Sequence, residues 1–104
     1  MNVPKNKPVR SKRYLKWIDE QPCIISGQKA THHHIRSWWT DHGTSQKPSD
    51  IYAIPLSPEH HTDGNYAIHR GKMKFMVKNA ITEEGLMRFC LDLIRRFLAE
   101  GNKF

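Results

Sequence analysis

Six of the seven histidines fall into three short groups, and this clustering limits the folds open to the chain more than any other feature. Residues 32–34 are three consecutive histidines, His60 and His61 form a pair, and His69 lies eight residues beyond His61. Imidazole is a common ligand of divalent metals and exchanges a proton near neutral pH. The fold must therefore bring these groups together if they act as metal ligands, as proton acceptors, or as both.

The rest of the composition indicates one small domain with a polyanionic partner. With 104 residues, 38% of them hydrophobic, the chain can build a single modest core, and two stable domains are not expected. Seventeen Lys and Arg residues against ten Asp and Glu residues give a formal charge of +7, which favours nucleic acid as the partner. The alternative is a charged protein that repulsion keeps in solution.

Cysteine content and hydropathy favour a cytoplasmic location. Cys23 and Cys90 cannot supply the disulfide framework of a small secreted fold, so a reducing compartment fits best. No apolar run follows the basic start of the chain, as a signal peptide would require, and no stretch of 18 apolar residues occurs. We therefore expect no membrane partner.

The chain begins with a segment that has little to bury. Residues 1–10 combine prolines, asparagines and basic residues, which predicts a flexible basic arm. Residues 11–104 then form a single domain. Its first helix is predicted to start at Ser11, a favoured N-cap residue, and to end at about Glu20.

A hairpin with an insertion follows the first helix. Residues 30–35 have the composition of a strand and end in the first histidine group. Residues 40–49 are rich in turn-forming residues and predict a polar loop, with His42 as a surface residue. Residues 50–56 predict the returning strand.

Two further helices are predicted after the hairpin. Ser57 and Pro58 have the chemistry of an N-cap and a first helical position, so the pair His60 and His61 would lie on a short helix. The clearest helix runs from Thr82 to a stop at Gly101, with an apolar face that should close the core.

Three segments of this pattern together resemble the HNH (ββα-metal, His-Me finger) endonucleases. They are Thr31-His-His-His-Ile35, Asp50-Ile-Tyr-Ala-Ile-Pro-Leu-Ser57 and Pro58-Glu-His-His61. The flanking residues Arg10–Tyr14, Trp17, Pro22–Cys23 and Pro55–Leu56 are similar to phage recombination-enhancement (Ref-like) nucleases. The resemblance covers roughly residues 10 to 75.

The resemblance implies an α+β fold and a role for each central histidine. Its core would be a ββα-metal unit of a β-hairpin and a short helix, flanked by an N-terminal and a C-terminal helix. His33 and His61 would bind one divalent metal ion, and His34 would be the general base that deprotonates the attacking water. Family members often have a third histidine one turn beyond the second ligand, whereas here the next one is His69, eight residues beyond His61, which we expect as the third ligand.

Two positions depart from the family pattern. The residue nine before His61 is commonly asparagine, but here it is Tyr52, which lacks an amide's two-ended hydrogen bonding. Asp50, on the same strand face, could orient His34 or bind the metal instead.

The second departure concerns a structural zinc site that many relatives build from two pairs of cysteines. The corresponding positions here are Cys23, Ser26, Ser57 and His60. Serine hydroxyls are poor zinc ligands, so we expect no structural zinc.

The function implied is metal-dependent hydrolysis of DNA phosphodiester bonds, with Mg, Mn, Zn or Ni as the ion. Arg36, Trp38, Lys72 and Lys74 are the candidate DNA-binding residues. DNA is the expected partner, and the Ref-like resemblance adds a recombinase filament. If the protein is phage-encoded, its location is the host cell cytoplasm.

The pleat of a strand raises one difficulty. Ideal pleating would place His32 and His34 on one face and turn His33 to the other, so the strand must twist or end at this point. Two alternatives to a nuclease also stay open: a non-catalytic DNA-binding zinc module, and an accessory protein with a degraded HNH fold.

Overall fold

The computed structural model describes residues 8–41 and 47–104. Most of the predicted basic arm and the predicted surface residue His42 lie outside these ranges. The last two residues of the arm hydrogen-bond to the domain: the Val9 N–H donates to Ser49 Oγ at 2.8 Å, and the Arg10 guanidinium donates to the carbonyl of Pro48 at 2.6 Å.

A two-stranded antiparallel sheet forms the centre of an α+β fold, as predicted. Strand β1 (Thr31–His34) pairs with β2 (Ala53–Leu56), with His33 opposite Ile54 and His34 opposite Ala53. All four residues of β2 are buried, whereas β1 carries the half-buried histidines. The predicted second strand is shorter than expected because Asp50–Tyr52 form a 3₁₀ turn, with the Tyr52 N–H bonded to the Ser49 carbonyl.

Helix α1 (Lys12–Asp19) begins where the sequence predicts. The Ser11 hydroxyl accepts a hydrogen bond from the Tyr14 N–H at 3.1 Å, so it satisfies one of the free donors of the first turn. Tyr14 and Ile18 are fully buried, and the helix packs against both strands.

Helix α3 (Glu83–Ala99) confirms the prediction of a long closing helix. Thr82 caps it by accepting from the Gly85 N–H at 3.0 Å. Its buried face packs against β2 and α1 and completes the core. The residues of that face are Leu86, Cys90, Leu93 and Phe97.

The segment after β2 differs from the predicted regular helix. Glu59–Asp63 form a single π-helical turn, followed by a 3₁₀ turn at Ile68–Arg70 and by helix α2 (Lys72–Lys78). The π-turn ends at Gly64, whose N–H donates to the Glu59 carbonyl. A Cβ at Gly64 would lie 2.5 Å from that carbonyl oxygen, so only glycine allows this closure. Of the helices in the described ranges, none has the length and apolar character needed to cross a bilayer.

Candidate active site

Three histidines from three different elements converge on one point. His33 comes from β1, His61 from the π-turn and His69 from the 3₁₀ turn before α2. One ring nitrogen of each can be chosen so that all three atoms lie within 4.8 Å of one another. The ring centroid of His33 lies 5.1 Å from that of His61 and 4.8 Å from that of His69.

The local backbone explains this convergence. The π-turn directly follows β2, and the N–H groups of His60 and His61 both donate to the Ser57 carbonyl, which fixes the turn against the strand end. The Thr31 hydroxyl, at the start of the facing strand, lies 3.2 Å from Nδ1 of His61. Reversal of the chain at Gly64 then returns His69 to the same side.

Two of the three rings, His33 and His61, favour the neutral state that binds metals. Burial, together with the neighbouring imidazoles of His61 and His69, lowers the pKa of His33 to about 3. Burial and then His69 lower the pKa of His61 as well. Because a metal ligand needs a deprotonated nitrogen, this environment is suited to a cation.

The spacing of the nitrogens is compatible with one ion. Three histidines could hold a metal ion here, and this is the donor set that three-histidine zinc sites use. Two nitrogens bound at about 2.1 Å in tetrahedral geometry lie about 3.4 Å apart, so small ring rotations would bring the group to ligand spacing. The predicted ligand set of His33, His61 and His69 therefore lies together, including the one that the family pattern did not place.

His34 lies in a different environment, paired with a carboxylate. Its Nε2 lies 2.8 Å from Oδ1 of Asp50, and the His34 side chain is only 13% exposed. The sequence offered Asp50 as a group that could orient His34 or bind the metal, and the described contact is with His34.

Asp50 is held by three donors. Besides His34, the Ser11 N–H donates to Oδ2 at 2.7 Å, and the Arg10 guanidinium donates to Oδ1 at 3.2 Å. Burial raises the pKa of the Asp50 carboxyl, but the hydrogen bonds from His34, Ser11 and Arg10 outweigh it, and the net pKa is below its ordinary value. Asp50 is therefore an ionised acceptor at neutral pH.

His32 also pairs with a carboxylate. Its Nδ1 lies 2.7 Å from Oδ1 of Asp19 in α1, and the backbone N–H of His32 donates to the same oxygen. The rings of His32 and His34 lie 5.8 Å apart, so these two share one face of β1, while His33 turns to the other, as ideal pleating requires.

Both faces nevertheless reach one open cleft, because β1 ends at His34. The cleft has a volume of about 470 Å³. It is lined by the histidines at 32–34, 61 and 69 together with Ile35, Arg36, Lys47, Pro48, Ile68 and Lys72. The three-imidazole group and the His34–Asp50 pair therefore border the same cleft.

The four predicted DNA-binding residues differ in position. Arg36 and Lys72 line the cleft, while Trp38, at 83% exposure, and Lys74 are exposed beyond its wall. The Lys72 ammonium donates to Glu83 at 2.7 Å, so part of its charge is already balanced.

Tyr52, at the position where the HNH pattern commonly has asparagine, packs against Trp39. Its ring lies edge-on to Trp39 with centroids 5.7 Å apart, and its carbonyl accepts from the Ile35 N–H. Trp39 in turn donates to Glu83 at 2.9 Å.

The four positions that correspond to a structural zinc site are close together and are joined by hydrogen bonds. The Ser26 and Ser57 hydroxyls lie 3.3 Å apart, and Ser57 Oγ lies 3.1 Å from Nδ1 of His60. The Cys23 sulfur accepts from the N–H groups of Ile25 and Ser26. A polar network thus joins the turn at residues 23–26, before β1, to the residues that follow β2.

Sequence reasoning missed two residues that shape the cleft. Asp19 was predicted only as part of a helix, and Lys47 lay in a segment predicted as a polar loop. No spacing rule links either residue to the histidines, since Asp19 is 13 residues from His32 and approaches it only through the packing of α1 on β1.

Comparison with known proteins gives the family without an activity. A family described as "Protein of unknown function (DUF968)" matches residues 1–93, and the chain belongs to that family. The "Uncharacterized protein YdfU" of Escherichia coli (strain K12) is 29% identical over 101 residues, which cover 97% of this chain. They cover 27% of that relative, so the chain spans about a quarter of its length. No solved structure gives a significant match.

Proposed function

We propose that the protein is a metal-dependent endonuclease of the HNH type that hydrolyses DNA phosphodiester bonds. The observation that carries the proposal is one cleft bordered by both a group of three imidazoles and the pair of half-buried His34 with buried Asp50. The first is suited to a divalent cation and the second to proton transfer, and hydrolysis of a phosphodiester uses both. In this interpretation the hairpin and the π-turn correspond to the ββα-metal unit.

The hydrogen bond to Asp50 determines which nitrogen of His34 acts as the base. An ionised carboxylate only accepts hydrogen bonds, so the proton of a neutral His34 lies on Nε2, which faces Asp50. The lone pair is then on Nδ1. This atom would take a proton from the attacking water, while Asp50 stabilises the imidazolium that forms.

His33, His61 and His69 would hold the ion. When bound, the ion would supply positive charge beside the scissile phosphate and the departing 3′-oxygen. Imidazole ligands admit Zn, Ni or Mn, and Mg where phosphate oxygens complete the coordination.

The cleft also has charges suited to a phosphodiester chain. Arg36, Lys47 and Lys72 lie on its wall, and the whole chain carries a formal charge of +7. Coulombic attraction of this sign favours binding to the DNA backbone. We propose the cytoplasm, or the host cytoplasm for a phage-encoded protein, as the location, and a recombinase filament as an additional partner.

Supercoiled plasmid tests the proposal directly. Wild-type protein should convert it to the nicked form in the presence of at least one of Mg, Mn, Zn or Ni, and EDTA should stop the reaction. His34→Ala should remove about 10²- to 10⁴-fold of the rate. His60→Ala is the matched control, since it removes an imidazole that hydrogen-bonds to Ser57 rather than lining the cleft. Equal activity of the two variants would contradict the proposal.

One observation favours a second candidate, a non-catalytic DNA-binding or accessory protein with a degraded HNH fold. Tyr52, rather than asparagine, stands nine residues before His61, and its ring packs on Trp39 instead of reaching His34. This candidate predicts DNA binding with no nicking under any of the four ions. The nuclease proposal predicts that Asp50 takes over the orienting role, so that Tyr52→Phe nicks at the wild-type rate.

A further inference from the structure

A second cleft adjoins the first. It has a volume of about 380 Å³ and is lined by Arg10, Ser11, Lys12, Leu15, His32, His34, Lys47 and Asp50. Three of these residues, His32, His34 and Lys47, also line the cleft with the three imidazoles. The two clefts therefore share a wall, and an extended ligand in one can continue into the other.

Three of the residues that line the second cleft are cations, namely Arg10, Lys12 and Lys47. Within residues 8–41 and 47–104, the ammonium groups of Lys12 and Lys47 form no ion pair. Both residues are exposed. Arg10 donates to the Lys47 carbonyl at 2.7 Å and so fixes the backbone that carries this lysine beside α1. Lys12 and Lys47 thus line one cleft, where a bound anion would be attracted to both.

The carboxylates near this cleft are already engaged. Asp50 accepts hydrogen bonds from Ser11, Arg10 and His34, and Asp19 accepts from His32. Their charges are therefore directed to partners in the wall, which leaves the two lysines to determine the charge at the opening.

The charges in the first turns of the two longest helices support the same interpretation. Helix α3 begins with Glu83 and Glu84, as the helix dipole favours. Helix α1 has no acidic residue in its first turn and begins instead with Lys12 and Arg13. Cations at this end lower the stability of an isolated helix, and binding of a phosphate would offset this loss.

We infer that the second cleft binds a backbone phosphate adjacent to the one that lies over the three imidazoles, with Lys12 and Lys47 as its cations. The inference rests on the proposed function, since it takes DNA as the ligand. It extends that proposal by fixing the path of the strand: over His33, past His34 and toward the start of α1.

The salt dependence of DNA binding tests the inference. A labelled DNA duplex is titrated with the protein in EDTA, so that no cleavage occurs, over a range of sodium chloride concentrations. Lys12→Gln and Lys47→Gln should each reduce the slope of log K against log salt by about 0.9, or by about 0.7 for single-stranded DNA. Lys16→Gln is the matched control because it removes the same charge from an exposed position of α1 outside the cleft.

Equal slopes for Lys12→Gln and Lys16→Gln would overturn the inference, since they would indicate only general attraction. If the wild type nicks plasmid while the two slopes are equal, the second cleft is wrong and the nuclease proposal stands. A different result is that Lys12→Gln reduces the slope, the control Lys16→Gln does not, and no ion supports nicking. In that case the cleft binds DNA and the nuclease proposal is wrong.

Inorganic phosphate separates the two sources of the anion. In NMR spectra, the backbone amide resonances of Ser11 and Lys12 should shift when the duplex is added. Inorganic phosphate at the same ionic strength should leave these resonances unchanged. Saturation by inorganic phosphate, with no effect of Lys12→Gln on DNA binding, would assign the cleft to a free anion and contradict the inference.

Discussion

The two faces of β1 carry the same side chain in two different environments. On one face, His33 meets His61 and His69, and the three rings form a group of like donors. On the other face, His32 and His34 each meet a carboxylate, Asp19 and Asp50. The first environment is suited to a bound cation, and the second holds each imidazole by a hydrogen bond to a carboxylate. One short strand therefore supplies a candidate metal ligand and a candidate base to the same cleft.

Removal of the His33 ring, which faces His61 and His69, should have the largest effect on metal binding and nicking. We expect His33→Ala to weaken metal binding by more than the 10- to 100-fold typical of outer-shell partners. Nicking should fall to background, because the ion would be lost as well as its orientation. Isothermal titration with Zn or Ni, together with plasmid nicking, measures both effects. Unchanged metal affinity would show that the three imidazoles are not the ligands.

Removal of the His34 ring, which faces Asp50, should separate proton transfer from metal binding. His34→Ala should lower the nicking rate by about 10²- to 10⁴-fold while metal affinity stays at the wild-type value. Loss of metal binding in this variant would mean that the two faces act as one ligand set. Circular dichroism checks that the variant keeps its fold.

The Asp50→Asn variant tests the orientation of His34. An amide keeps the shape but loses the charge that stabilises imidazolium, so we expect a decrease in nicking of about 10- to 100-fold. Loss of charge-assisted hydrogen bonds should also cost about 1.5–3 kcal/mol of unfolding free energy. A purely structural role predicts an unchanged pH profile of nicking, whereas a positioning role predicts that the acidic limb, where the general base becomes protonated, moves.

Acid should destabilise the protein in two stages. Stability is lost first as the pH falls below 6.5, because burial and the neighbouring imidazoles lower the pKa of His33 to about 3, and the carboxylates follow at lower pH. The folded-state pKa of Asp50 is below its ordinary 3.8, and that of Glu83, held by Lys72 and Ser37, is below its ordinary 4.5. Their stabilisation is present above those ordinary values and is lost as the pH falls through the lower folded-state values. Urea unfolding between pH 5 and 2 should therefore show a decline of at most about 1.4 kcal/mol per pH unit for each carboxyl. A flat profile in this range would contradict the assigned hydrogen bonds.

The second carboxylate pair should matter least. Asp19 and His32 are 41% and 36% exposed, so Asp19→Asn should change the unfolding free energy by less than about 1 kcal/mol. Nicking should stay within a few-fold of the wild type. A loss as large as that of Asp50→Asn would show that His32, rather than His34, carries the proton.

The sequence predicted local features well where a single local interaction determines them, such as a helix cap or an apolar helix face. Ser11 and Thr82 cap helices as their hydroxyls allow, and the apolar face of α3 lies in the core. The π-turn could not be predicted, because a Ser57-Pro58 start fits an ordinary helix and the closure depends on contact between Gly64 and Glu59.

The candidate site shows the same division. The histidine groups could be found from their clustering, and Asp50 from its position two residues before Tyr52, although the predicted strand there is a 3₁₀ turn. The pairing of His32 with Asp19 and the position of Lys47 depend on how α1 and the chain before β2 pack against β1. Such long-range contacts have no signature in the spacing of residues.

The most direct measurement is anomalous diffraction from crystals of the protein grown with zinc or manganese. The account predicts one ion bonded to ring nitrogens of His33, His61 and His69, at about 2.0–2.1 Å for zinc, with His34 hydrogen-bonded to Asp50 and outside the coordination sphere. An ion bound elsewhere, or one that includes His34 among its ligands, would contradict it.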